Sequence, residues 1–91
     1  MPFHLSGTIT VADEDIGAIR AALPEHIRLT RAETGCMSFE VWEREHGVFS
    51  VKETFADEEA FKAHQRRILG TDWAKASARA VRRYKTWVDD G

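Results

Sequence analysis

The sequence predicts an α+β fold in which one antiparallel sheet carries its helices on a single face, and three observations predict it. Phe3, Leu5, Gly7, Ile9 and Val11 alternate with His4, Ser6, Thr8 and Thr10, the period of a half-buried strand. Ile16, Ile19, Leu23 and Ile27 then recur at helical spacing. From residue 37 the period returns to two, broken only by the turn signal Glu43-Arg-Glu-His-Gly47, so the second and third strands should form a short antiparallel hairpin.

Taken in order, the first strand is followed by Asp13, a candidate helix cap, and by a helix reaching about Ala32. Pro24 removes a backbone donor inside that helix, which predicts a kink or two pieces meeting at Leu23; His26 and Arg28 are expected to face solvent or flank the stripe. Gly35 suits the helix end, and Met37, Phe39 and Val41 alternate with Ser38, Glu40 and Trp42 in the second strand. In the third strand Phe49, Val51, Glu53 and Phe55 share one parity. Asp57 is a natural cap for a second helix, with Glu58 and Glu59 at its positive end and Ala60 or Phe61, His64 and Ile68 as its inward stripe. Gly70 should break it and Thr71 should cap a short extra helix around Trp73 and Ala74. Residues 81–88 read as a last strand, since Val81, Tyr84, Trp87 and Val88 favour extended structure and Arg82, Arg83 and Lys85 would protect an edge; residues 89–91 read as a frayed end. The resulting β-α-β-β-α-β order is the ferredoxin-like pattern, and Trp42 and Val48 put apolar area on the sheet's second face that a second subunit would cover.

Ninety-one residues suit one domain spanning 1–91, with a modest core. A net charge of −2 gives no electrostatic case for nucleic acid, and no apolar run is long enough to span a bilayer. The start of the chain lacks a basic, apolar leader, and Cys36 is alone, so a cytoplasmic protein without an intrachain disulfide is expected. His4, His26, His46 and His64 show no i, i+4 pair and no cysteine partner at zinc spacing, so no metal site is expected.

The chemistry centres on Glu53 and His64. A carboxylate on an apolar strand face needs a reason or a partner. If the second helix folds back over its strand, Glu53 lies roughly 7 Å below the corner at the strand rise. His64 lies about 10 Å below it at the helix rise. The two could share one space. His64 would act as a base and Glu53 would orient it or a substrate hydroxyl, while Phe39, Phe55, Phe61 and Trp73 could stack on a flat substrate. The same residues also read as a hydrogen-bonded structural histidine, a paired carboxylate and plain aromatic core.

Two blocks carry a family resemblance: Thr30-Arg-Ala-Glu-Thr-Gly-Cys-Met-Ser-Phe-Glu40 and Glu53-Thr-Phe-Ala-Asp-Glu-Glu-Ala-Phe-Lys-Ala-His64. The first is similar to a helix-end Arg-x-Glu-x-Gly-Cys, the second to a Glu-x-Trp/Phe, an acidic corner, Ala-Phe and Ala-His, and together they resemble the antibiotic biosynthesis monooxygenase family. That resemblance implies a dimeric α/β-barrel assembly in which two sheets meet through their open faces, with a pocket between sheet and helices in each subunit. It also implies oxidation of a small aromatic or quinol by molecular oxygen without metal, flavin or other cofactor. Relatives that degrade haem or isomerise small metabolites share the fold. Phe55 stands where many members have Trp, the hairpin is shorter than usual, and Trp73 and Ala74 lie where haem-degrading members have an axial histidine. The reading is a cofactor-independent monooxygenase; the alternatives are a non-catalytic aromatic-metabolite-binding or regulatory dimer, or a small-metabolite isomerase.

Overall fold

A computed structural model describes residues 1–89. The elements are β1 (Phe3–Thr10), α1 (Asp13–Arg31), β2 (Cys36–Glu45), β3 (Val48–Phe55), α2 (Glu58–Ile68), the short α3 (Asp72–Ala76) and β4 (Val81–Val88). The four strands form one antiparallel sheet in the order β2-β3-β1-β4, the ferredoxin-like arrangement. The alternation that predicted each strand also sets its register. Leu5 faces Glu53, Gly7 faces Val51 and Ile9 faces Phe49, so one parity of β1 and β3 builds the covered face. Against it α1 lays Ile16 and Ile19, and with Phe39, Val41, Val51 and Trp73 these form the core. A fully buried Ile or Phe of this kind contributes about 1.5–3 kcal/mol by burial alone.

Two glycines shape the sheet around the cavity. Gly47 takes a φ of +75° and lets the β2–β3 hairpin close in two residues. Gly7 is paired with Tyr84, and a side-chain carbon there would lie 2.8 Å from the tyrosine ring and 2.0 Å from the Arg83 carbonyl. Its bare backbone is what lets Tyr84 lie over β1.

Several expectations need correction. α1 runs through Pro24 as one helix, because the buried residues Ile16 and Ile19 before it and His26 and Thr30 after it anchor both halves to the same core. Its cap is Ala12, without a side-chain bond, and Asp13 joins Glu14 and Asp15 in the first turn, where their charges suit the helix dipole. His26 is buried rather than solvent-facing, whereas Arg28 is exposed and pairs with Glu25. Gly35 does not end the helix, which stops at Arg31. It sits where a side chain would meet the Ala60 methyl at 2.4 Å, and so allows α2 to approach the start of β2. Asp89 is tied down by a backbone bond to Pro2 and by the His4 ring at 2.9 Å, while the rest of the expected frayed end lies outside the described residues.

β4 is the edge strand next to β1, and all eight of its residues are exposed. On the open face of the sheet Trp42, Val81 and Trp87 remain 48%, 51% and 43% exposed, enlarging the apolar patch expected from Trp42 and Val48. No helix among the described residues is long and apolar enough to cross a membrane.

Candidate functional site

Glu53 and His64 do come together. The side chain of Asp57 caps α2 by accepting the Ala60 amide at 2.8 Å, and the helix then turns His64 inward until it is only 2% exposed. Glu53 rises from the middle of β3 between Leu5 and Phe39, 7% exposed. Its Oε1 lies 4.0 Å from His64 Nε2, beyond hydrogen-bond range, and has no partner among the described residues. Burial, aided by the nearby Glu33 carboxylate, pushes the Glu53 carboxyl up to about 7.

The hydrogen bond that orients His64 is made by Glu33, a residue that the strand and helix periods do not single out. His64 Nδ1 lies 3.1 and 3.0 Å from its two carboxylate oxygens. Glu33 also accepts from Arg67 Nε at 2.5 Å, and Arg67 Nη2 donates to the hydroxyl of fully buried Thr30 at 2.8 Å. With Glu33 accepting, Nδ1 carries the proton and Nε2 turns its lone pair toward Glu53. Burial lowers the His64 pKa below its ordinary value, and the bond to Glu33 opposes that shift.

His26 is the second residue that sequence reasoning misses. Its ring stacks on Trp73 at 4.5 Å and 6° and lies 6.0 Å from the His64 ring. Nδ1 of His26 is buried without a partner among the described residues, and burial, with the charges of His64 and Arg67, drives its pKa down to about 3. A signal is available, since His26 follows Ile19 by seven residues and precedes Thr30 by four, on the helix's inner stripe.

These groups line a cavity of about 230 Å³ between sheet and helices. Of the four predicted aromatics, Phe39 and Trp73 line it and Phe55 and Phe61 do not. Phe55 is fully buried behind the imidazole, 5.0 Å ring to ring, and Phe61 stacks on Phe3 at 4.6 Å. The polar wall is completed by Glu53, Gln65, Ser77, Arg82 and Tyr84. No group of three or more metal-binding side chains occurs among the described residues. Cys36 is half-buried with its thiol pushed up by burial and by Glu33, unsuited to a nucleophile.

The sequence matches the family model for antibiotic biosynthesis monooxygenase over residues 2–85. The chain belongs to this family. Members of the antibiotic biosynthesis monooxygenase family are generally dimeric. No protein of curated function matches the sequence significantly. Among solved structures, Rv0793 from Mycobacterium tuberculosis is similar at 20% identity, covering 98% of this chain and 95% of its own, with a TM-score of 0.77. PA3566 from Pseudomonas aeruginosa follows at 21% identity, 99% and 95% coverage and a TM-score of 0.76. A candidate antibiotic biosynthesis monooxygenase from Nitrosomonas europaea covers the whole of both chains at 16% identity, with a TM-score of 0.79. At these identities the neighbours support the fold alone.

Proposed function

We propose that this chain is a monooxygenase that oxidises a small hydroxyaromatic or quinol with molecular oxygen, works as a homodimer built through the open sheet face, and uses His64 as its base. The observation that carries the reading is the gap of 4.0 Å between His64 Nε2 and Glu53 Oε1, both facing one aromatic-walled cavity. The gap is too wide for a direct hydrogen bond. It fits a substrate oxygen placed about 2.8 Å from each.

In that position a phenolic hydroxyl donates to the Nε2 lone pair. As its proton moves to Nε2, Glu33 on the opposite nitrogen stabilises the imidazolium, and Arg67 holds Glu33 in place. Glu53, with its carboxyl pushed up to about 7, is substantially protonated at neutral pH and donates to the phenolate oxygen that forms. The electron-rich phenolate then reduces oxygen. A para-unsubstituted phenol and one O₂ give a quinone and water, or a quinol and one O₂ give a hydroxyquinone and water; one oxygen atom enters the product and the other leaves as water. Here the protein contributes proton transfer, orientation and exclusion of solvent, the oxidising power being that of oxygen.

Phenols, hydroquinones and anthrones incubated with the purified protein under oxygen should include at least one that is converted to a quinone faster than it autoxidises, with one labelled oxygen atom from ¹⁸O₂ in the product. His64→Ala should remove the excess rate. A panel in which no member exceeds its autoxidation rate contradicts the reading and leaves a binding protein with the same cavity.

A further inference from the structure

Arg82 is the one cationic side chain among the described residues that line the cavity, and the proton transfer to His64 does not use it. Its Nη2 donates to the Oγ of fully buried Ser77 at 2.8 Å, and Nη1 makes a long contact of 3.4 Å with the Ala80 carbonyl. Ser77 in turn donates to the Trp73 carbonyl at 2.7 Å, so the guanidinium is hooked to the end of α3. No carboxylate among the described residues pairs with it. Among the described residues its five N–H donors engage Ser77, Ala80 and, more weakly, the Tyr84 hydroxyl, which leaves donors in a planar fork suited to a carboxylate.

The register says where this fork stands relative to the reacting end. Arg82 pairs with Ile9 of β1, and Glu53 pairs with Leu5, four residues away on the same inward parity. At the strand rise that is about 13 Å along the sheet. Tyr84 stands between them over Gly7, and its hydroxyl feels the charge of both neighbours. That tyrosine lines the cavity while 38% exposed, and burial pushes its pKa up to about 12. Arg82 and Glu53 both line the cavity, one at each end of this line, and two side chains a few ångströms long leave between them the length of one or two rings. Volume agrees. At the packing density of protein interiors, 230 Å³ of cavity accepts about 170 Å³ of ligand.

We propose that the substrate is an acidic hydroxyaromatic of one or two fused rings, whose carboxylate seats on the Arg82 fork while its hydroxyl lies at His64 and Glu53. The proposal rests on the monooxygenase reading for what happens at the hydroxyl, but the anion subsite is a binding property with its own readout. Arg82 fixes which end enters first, so the hydroxyl is delivered to Nε2 and the acid stays beside the exposed strand β4, where water can still solvate it.

Binding of hydroxybenzoic and hydroxynaphthoic acids, and of their neutral amides, can be followed at pH 7.5 by quenching of tryptophan fluorescence and by calorimetry. At least one acid should bind at least tenfold more tightly than its amide. Arg82→Gln should abolish the difference while leaving amide affinity within about twofold, and Arg82→Lys should keep part of it. Unchanged amide binding by Arg82→Gln shows that the cavity survives the substitution. Equal binding of every acid and its amide, an acid preference that persists in Arg82→Gln, or no acid binding at millimolar concentration overturns the proposal. An intact, Arg82-dependent acid preference without quinone formation instead sinks the monooxygenase reading and keeps the subsite.

Discussion

The cavity has two walls that each present an imidazole, and they behave differently. On the α1 wall His26 lies flat against Trp73 with Nδ1 unpartnered among the described residues; on the α2 wall His64 hands Nδ1 to Glu33, which Arg67 braces. Both rings are nearly inaccessible, at 5% and 2% exposure. Burial lowers the pKa of both, but only His64 has a carboxylate opposing the shift. The comparison teaches that burial alone lowers the pKa of an unpartnered ring, and that a carboxylate on the far nitrogen opposes the shift and fixes the tautomer, which is what the proposed base needs.

The largest effect that would break this contrast comes from His64→Ala, which should lower kcat by about 10²–10⁴. His26→Phe, which keeps the stack on Trp73, should change kcat by less than a fewfold; steady-state rates on the two variants that come out equal would show that the walls do not differ. Glu33→Gln should cost roughly 10–100-fold, the usual range for a residue that orients another through a hydrogen bond. It should also move the acid limb of the kcat/KM profile to lower pH, because the group that raises the His64 pKa is gone. A purely structural Glu33 would lower the rate without moving that limb.

Smaller effects appear in stability. Glu53 has its folded pKa raised to about 7 from 4.5, so its contribution is fully present below pH 4.5 and is lost as pH rises toward 7. At 1.36 kcal/mol per unit, the penalty at pH 8 is about 3 kcal/mol. His26 has the opposite sign: its pKa falls from 6.5 to about 3, so stability present above pH 6.5 is lost as pH falls toward 3. Between pH 4.5 and 6.5 the two slopes oppose each other. Glu53→Gln should therefore be more stable than the parent at pH 8, by up to about 3 kcal/mol, and should show a steeper loss below pH 6.5 in denaturant titrations. The same substitution should remove the alkaline limb of activity near pH 7. At pH 8 His26→Phe should have the smallest effect, a gain of about 1 kcal/mol from removing an unpartnered buried nitrogen, and at pH 5 the gain should be larger, because the stability that the parent loses through His26 below pH 6.5 is no longer lost; thermal melts at the two pH values would read both.

Periodicity makes the sheet, the two main helices and the pairing of Glu53 with His64 legible, because parity on β3 and the inner stripe of α2 fix where those side chains point. Glu33 does not stand out as a site residue because it sits in the turn after α1, where no period applies, and 31 residues separate it from His64. It nonetheless lies inside the Arg31-Ala-Glu-Thr-Gly-Cys36 block, as the glutamate of the motif. His26 reads as a surface residue on polarity, although its spacing from Ile19 places it on the inner stripe. The membership of the cavity wall is beyond the pattern altogether: Phe39 and Phe55 share the covered face, yet only the twist of the sheet and the placement of α2 decide that one lines the void and the other is packed behind the ring.

If the site works as proposed, a substrate oxygen occupies the space between His64 Nε2 and Glu53 Oε1. A crystal structure of the protein with a hydroxyaromatic bound in the absence of oxygen tests this most directly. The expected result is a ligand oxygen within about 3 Å of both atoms. A ligand whose hydroxyl lies outside this pocket, or a cavity that stays empty while the ligand binds elsewhere, would contradict it.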